Sequence, residues 1–123
     1  MTALPLPRLR VIHQPTGSEL ARSATLAATF WSRLVGLLGT RSLPAGEGLI
    51  LDPCNSVHTL GMAYAIDVIF TSPEGEVVRV VHRLRPWRAT SIVSGARIVV
   101  ELPAGAAEAV RPGDRLDFER IER

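Results

Sequence analysis

The sequence predicts a mainly β fold: a compact antiparallel β-barrel-like or rolled sheet with one short α-helix. After Leu43 the apolar segments are short and are separated by turns rich in glycine and proline, as in small all-β domains. Only one segment has apolar residues at helical spacing. The chain has 123 residues, of which 46% are apolar and 21% are charged, and this balance indicates one globular domain rather than a disordered chain.

The N-terminal part of the chain is predicted to hold an arm and one or two strands. Pro5 and Pro7 lack backbone donors, so residues 1–9 are expected to form an extended arm and residues 10–123 the single β-rich domain. Residues 9–13 form a strand candidate that a turn over 14–17 closes. Residues 19–27 fit either a second strand or the entry to a helix.

The one helix is predicted over residues 29–38. Thr29 can cap its first turn and Gly39 can end it. The apolar side chains that would share one face are those of Phe30, Leu34, Leu37 and Leu38.

The remaining elements are all predicted to be strands and turns. The strands cover 49–51, 65–71, 77–84, 96–102 and 115–120, and the segment 103–110 is predicted to be a turn with about one helical turn. Alternation within 77–84 places two sets of side chains on opposite faces: Val78, Val80, His82 and Leu84 on one, and Arg79, Val81 and Arg83 on the other.

Charge and hydropathy limit the location and the partners. All 14 basic residues are arginine, and the formal net charge is only +2, which does not favour nucleic acid or a membrane surface as a partner. The longest uncharged stretch, 53–66, is shorter than the about 20 apolar residues of a membrane-spanning helix, so no transmembrane segment is predicted. The first ten residues lack the apolar region of a signal peptide. We therefore expect a cytoplasmic protein, or an exported one whose N-terminal signal has been removed.

The most chemically suggestive residues are Cys54, His58 and Met62, which follow one another at intervals of four. Thiolate, imidazole and thioether are soft ligands, so this spacing is compatible with a copper-type site. A second interpretation is a nucleophilic Cys54 activated by His58. Because only His13 lies upstream as a further ligand and no oxyanion-hole motif is present, the ordinary interpretation is a partly buried cysteine beside a hydrogen-bonded histidine. We predict no metal, no cofactor and no catalytic residue.

Asp67 interrupts the apolar run 66–70 and is predicted to be a buried structural anchor. Alternation places Asp67 on the same face as Ile69, and a buried carboxylate there must be paired. The expected partners are Arg33, Arg41 or backbone N–H groups of the segment 53–62. The resulting candidate pocket comprises Cys54, His58, Met62, Asp67, Arg33 and Arg41.

A cluster of arginines with one tryptophan is the candidate surface for an anionic ligand. It consists of Arg79, Arg83, Arg85 and Arg88, with Trp87 among them. Arginines interleaved with an aromatic residue are typical of single-strand nucleic-acid binding, although solvated charge on a strand face is the more ordinary interpretation.

Five short motifs, taken together in chain order, resemble a known family. They are R-x-x-G-L-x-x-x-R (33–41), G-L-I-L (48–51), V-H-T-x-x-M-x-x-x-I-D-V-x-F (57–70), E-L-P-A-G (101–105) and P-G-D (112–114). This set resembles the bacterial and archaeal family catalogued as domain of unknown function 192, over about residues 10–119. The sequence H-T-L-G-M-A-Y at 58–64 is similar to the Cys/His-containing branch rather than to the members with W-M-x-N-T. The resemblance implies a small, mostly antiparallel β-barrel-like fold with one helix, and it implies no activity.

The function expected from the sequence is that of a non-enzymatic binding or assembly module. Its partner would be a small ligand in the pocket or another protein. The alternative from a different class is a soft-metal protein or a Cys/His enzyme that uses Cys54 and His58.

Overall fold

The computed structural model describes residues 6–27 and 43–121, and within these residues it contains seven strands and no helix. The strands, in chain order, are β1 (Arg8–His13), β2 (Ser18–Ala27), β3 (Glu47–Leu51), β4 (Ile66–Thr71), β5 (Val77–Leu84), β6 (Ile98–Pro103) and β7 (Leu116–Arg120). The mainly β prediction is confirmed. Residues 19–27, for which a strand and a helix entry were both open, belong to a strand, and the predicted helix over 29–38 lies outside the described residues.

All seven strands form one sheet in the order β5-β4-β6-β3-β2-β1-β7. Five of the neighbouring pairs are antiparallel, and β2 and β3 pair in parallel. Parallel neighbours require a crossover rather than a tight hairpin, and the chain between Ala27 and Glu47 supplies its length. The sheet is therefore antiparallel, as predicted, except at this one pair.

The sheet curls so that its two edge strands, β5 and β7, meet at one end. Val77 N–H donates to the Asp114 carbonyl at 2.7 Å, and Gly113 N–H donates to the Val77 carbonyl at 2.8 Å. Gly75 has a φ of +90°, and a Cβ there would lie 2.6 Å from the Leu116 carbonyl oxygen. This close approach requires glycine, since any side chain would push the two edges apart.

The sheet buries apolar side chains on both faces. The inner face, on the concave side of the curl, carries a cluster that includes Val11, Ile69, Val100 and Leu102, covered by Ala107 and Val110 from the turns over 104–110. The outer face carries a second cluster, whose members include Leu51, Val57, Met62, Ile66, Val68, Phe70 and Val99. Every residue of β4 is consequently buried, which explains its nearly continuous apolar run.

Strand β5 does not alternate as predicted. Val77 and Val80 pack on the inner cluster, whereas Val78, Val81 and Leu84 pack on the outer one. The cause is two register shifts in the β4–β5 pairing, one between Ile66 and Val68 and one between Phe70 and Thr71. Each shift inserts a residue that reverses the face of those that follow. The prediction that Val78, Val80 and Leu84 share a face is therefore wrong.

The described part of the chain, 6–27 and 43–121, contains no helix with the length and hydropathy needed to cross a membrane.

Candidate functional site

Two irregular segments, 53–62 and 85–97, lie side by side and form what we call the loop surface. A ladder of backbone bonds joins them. Its rungs are Cys54 N–H to Arg97 O (2.7 Å), Val93 N–H to Asn55 O (2.9 Å), Thr90 N–H to Val57 O (2.9 Å), Thr59 N–H to Arg88 O (2.8 Å) and Trp87 N–H to Thr59 O (3.0 Å). The two segments thus resemble a distorted pair of strands, although only His58 and Ala89 form a formal bridge.

Two threonine side chains fasten the loop surface further. The Thr59 hydroxyl, fully buried, donates to the Arg85 carbonyl and accepts the Arg88 N–H at 2.9 Å. The Thr90 hydroxyl accepts the Val57 N–H at 3.1 Å. Because each hydroxyl satisfies backbone groups that have no strand partner, these loops keep a defined shape without regular secondary structure.

The loop surface exposes large apolar side chains to solvent. Leu60 is 49% exposed, Trp87 65% and Ile92 72%. In the described part of the chain the other exposed large apolar side chains are Leu6 and Ile121, close to the first and last described residues. Trp87 also has a φ of +60°, so its backbone lies in the left-handed region that non-glycine residues seldom adopt.

The arginines that the sequence singled out lie on β5 (Arg79 and Arg83) and in the loop segment 85–97 (Arg85 and Arg88). Arg79, Arg83, Arg85 and Arg88 are all exposed. From Val77 to Val100 the chain contains these four, Arg97 and no aspartate or glutamate. Arg97 contacts Asp52 at 3.3 Å, and this pair is well exposed, so it neutralises little of the positive potential.

The residues of the predicted pocket separate onto different parts of the fold. Met62 is buried in the outer cluster and Cys54 packs against it. Cys54 bonds to the Arg97 end of the loop ladder, whereas His58 bridges Ala89 nearer the other end. Cys54 also lines a shallow depression with Pro53, Asn55, Ala96 and Arg97. Arg33 and Arg41 lie outside the described residues.

Cys54 has the geometry of a protonated thiol. Its Sγ donates to the Ser56 carbonyl oxygen at 3.0 Å. A thiolate in that position would face the lone pairs of the carbonyl oxygen, which does not favour a nucleophile or a metal ligand. Over residues 6–27 and 43–121, His, Cys, Asp and Glu side chains form no group of three or more that could hold a metal ion.

Asp67 is fully buried, as predicted, and its described partners are backbone N–H groups outside the segment 53–62. Its Oδ1 accepts the Arg83 N–H at 2.8 Å, and its Oδ2 accepts the Gly105 and Ala107 N–H groups at 2.9 Å each. The expected bonds to segment 53–62 do not form, because that segment covers the outer face and Asp67 faces inward with Ile69. Asp67 therefore anchors the end of β5 and the turn after β6.

A shallow depression opens beside Asp67. His82, Arg83, Gly105 and Glu108 line it together with Asp67, and its volume is about 250 Å³. Arg83 has a φ of +52°, which directs its N–H toward the carboxylate. The Asp67 carboxylate thus accepts an N–H group that the irregular backbone of β5 turns away from regular strand pairing.

Two buried polar features were missed by sequence reasoning. His13, 2% exposed, contacts Asp114 through Nε2 at 2.7 Å and Thr16 through Nδ1 at 2.8 Å. The hydrogen bond from His13 and that from the Arg111 N–H hold the pKa of Asp114 below its usual range. Glu101 is fully buried in β6, on the outer face with Val99. The one sequence signal for the first pair is that His13 directly precedes the predicted turn over 14–17.

The comparisons with known proteins identify the family. The model of the DUF192 family, described as "Uncharacterized ACR", matches residues 11–118. The chain belongs to the DUF192 family. A UPF0127 protein of Thermococcus sibiricus is 31% identical over 115 residues, which cover 89% of this chain and 74% of that protein. A UPF0127 protein of Pyrococcus furiosus is 36% identical over 112 residues, which cover 85% and 94%.

Solved structures share the fold of this DUF192 chain. A Sinorhizobium meliloti protein, provisionally described as a transcription regulator, superposes with a TM-score of 0.74 at 23% identity and covers 95% of this chain and 98% of its own. A protein of unknown function from Novosphingobium aromaticivorans has the same TM-score at 20% identity, with coverage of 89% and 83%. At these identities the likeness concerns the fold alone.

The DUF192 match spans the whole described sheet and the loop surface. It begins in β1, ends in β7 and includes both loop segments, 53–62 and 85–97. The candidate site is therefore built on the family domain itself.

Proposed function

We propose that this DUF192 chain is a non-enzymatic binding module that holds a protein partner on the loop surface. The observation that carries the proposal is the exposure of Leu60, Trp87 and Ile92 on two adjoining loops, one of which also carries the exposed Arg85 and Arg88. Tryptophan and arginine are the residues most enriched at the energetic centres of protein interfaces. Apolar side chains exposed together with a polar rim are typical of such surfaces.

The loop surface is preformed, which lowers the free-energy cost of binding. The backbone ladder and the Thr59 hydroxyl fix both loops before any partner arrives. A partner therefore does not have to order these loops, and more of the interaction energy appears as affinity.

The loop surface fits a protein partner better than a small molecule. Small-molecule sites are concave and measure about 300–1,000 Å³. The depressions at Asp67 and at Cys54 measure about 250 and 280 Å³ and are shallow. The loop surface instead presents its apolar side chains outward, where a second macromolecule can cover them.

A selection from a random peptide library tests the proposal. The library is panned on the wild-type chain and on the triple variant Leu60→Ser, Trp87→Ser, Ile92→Ser. We expect peptides that are enriched on the wild type to lose at least about tenfold in retention on the variant, because all three substitutions remove exposed contact area.

The matched control removes exposed apolar side chains elsewhere. The double variant Leu6→Ser, Ile121→Ser changes the other two exposed residues of this kind among the described residues and is expected to retain the peptides. Urea unfolding confirms that both variants are folded. Equal retention on the wild type and the triple variant would overturn the proposal.

A further inference from the structure

Strand β5 is an edge of the sheet whose outer side is largely unpaired. On the side away from β4, its backbone hydrogen bonds are made by the first residue, Val77, with Asp114 and Gly113. Among the described residues, the main chain of 78–84 bonds only with β4, apart from the Arg83 N–H, which the Asp67 carboxylate accepts. An edge of this kind can accept a further extended strand.

The positive charge beside this edge favours an added strand that carries negative charge. Arg79 and Arg83 lie on β5, and Arg85 and Arg88 follow it; the sequence has no Asp or Glu between Val77 and Val100, and Asp67 and Glu108 are the carboxylates beside Arg83. Two copies of β5 placed edge to edge would bring like charges together, which destabilises a strand pair. An acidic strand would instead meet complementary charge.

We infer that the partner presents an extended acidic segment, which adds to the edge of β5 as an eighth strand. This inference rests on the proposed function, since β5 leads through Arg85 into the loop surface. The main chain of the segment pairs with 78–84, and its carboxylates face the arginines. Apolar side chains of the same partner cover Trp87 and its neighbours.

A protein segment matches this surface better than single-stranded nucleic acid. Bases stack on successive aromatic side chains, and the loop surface offers one, Trp87. Its other exposed apolar side chains, Leu60 and Ile92, are aliphatic and suit the apolar side chains of a polypeptide. The unpaired strand edge is a feature that only a polypeptide backbone can complete.

The probe for this inference is a capped peptide of four Val-Glu repeats. We expect it to bind the wild-type chain, and we expect hydrogen–deuterium exchange of backbone amides within 78–84 to slow by at least about tenfold in the complex. Its affinity should fall as the salt concentration rises. The double variant Arg79→Glu, Arg85→Glu should bind at least about tenfold more weakly, because charge reversal turns attraction into repulsion.

Three controls separate this inference from the proposed function. The variant Arg120→Glu reverses an exposed charge on the other edge strand and should leave binding unchanged. A peptide of four Val-Lys repeats and an acidic peptide with alternate N-methylated amides should both fail to bind.

If the acidic peptide binds without protecting 78–84, or binds equally well when N-methylated, strand addition is overturned while the loop surface stands. Failure of the acidic peptide to bind, or tighter binding of an oligothymidine strand, also overturns the inference. The library selection remains the independent test of the loop surface.

Discussion

Asp67 and Asp114 each join segments that are distant in the sequence, and they do so in different environments. Asp67 is fully buried and accepts three backbone N–H groups from two segments. The Asp114 side chain is 23% exposed and is held by His13 and by the N–H group of Arg111 in its own turn. The comparison predicts that burial, more than the number of charged neighbours, decides how much the fold depends on a carboxylate. Asp67 has no cationic side chain bonded to it among the described residues, yet three backbone donors depend on it.

The largest effect is expected from Asp67→Ala. Removal of the carboxylate leaves three N–H groups without an acceptor in a buried place, and each such loss is costly. We expect the free energy of unfolding to fall by more than about 2 kcal/mol in urea, with an unchanged m-value. The control is Asp117→Ala on β7, a half-buried aspartate whose carboxylate makes no hydrogen bond or ion pair with described residues. A loss below about 0.5 kcal/mol for Asp67→Ala would show that the anchor does not hold the fold.

An intermediate effect is expected from Thr59→Val, which tests whether burial matters in the absence of charge. The Thr59 hydroxyl is as buried as Asp67 but neutral, and its removal leaves the Arg88 N–H without its acceptor. We expect a loss of about 1–2 kcal/mol and faster amide exchange at residues 87 and 88.

Thr71→Val is the matched control for this hydroxyl. Thr71 is equally buried, but its hydroxyl donates only to the carbonyls of Ser72 and Ile98. Its removal therefore leaves no backbone N–H group without an acceptor, and the loss of unfolding free energy should be smaller. Equal losses in the two variants would contradict the role given to Thr59 as an acceptor.

The smallest effect is expected at Asp114, and it should depend on pH. The pKa of Asp114 is lowered in the folded state, chiefly by the hydrogen bond from His13. Its ionised form therefore stabilises the fold above the ordinary aspartate pKa of about 3.9, and this contribution is lost as the pH falls through the lower folded-state value. The difference in unfolding free energy between the wild type and Asp114→Asn should be fully developed above about pH 5 and should shrink as the pH falls through the lowered pKa of Asp114.

Glu74→Gln provides the comparison for this titration. Glu74 is exposed, and its carboxylate forms no hydrogen bond or ion pair with described residues. The difference between the wild type and this variant should not change over the same acid range. Parallel pH profiles for the two variants would mean that the contact with His13 does not stabilise the ionised form of Asp114.

The sequence predicted the strands well because hydrophobic periodicity and turn residues are local signals. The position and burial of Asp67 followed from the alternation of 66–70, which β4 retains. Its partners did not follow, because the Arg83, Gly105 and Ala107 donors come from segments 16 to 40 positions away and meet only through the topology. The faces of β5 were mispredicted for a related reason, since a bulge depends on the neighbouring strand and leaves no clear local pattern. The described residues of the candidate pocket do not come together, because segment 53–62 and Asp67 lie on opposite faces of one sheet.

The strand order has a consequence for how the chain folds. β1 pairs with β7, and the bond between Arg10 and Glu119 joins residues 109 positions apart. Contacts between such distant residues make folding slow, because a large loop must close before they form. During synthesis, one side of β1 remains an open edge until the last strand leaves the ribosome. The β1–β7 pairing therefore forms late, and until then the nascent chain exposes an unpaired strand edge, which can pair with other chains.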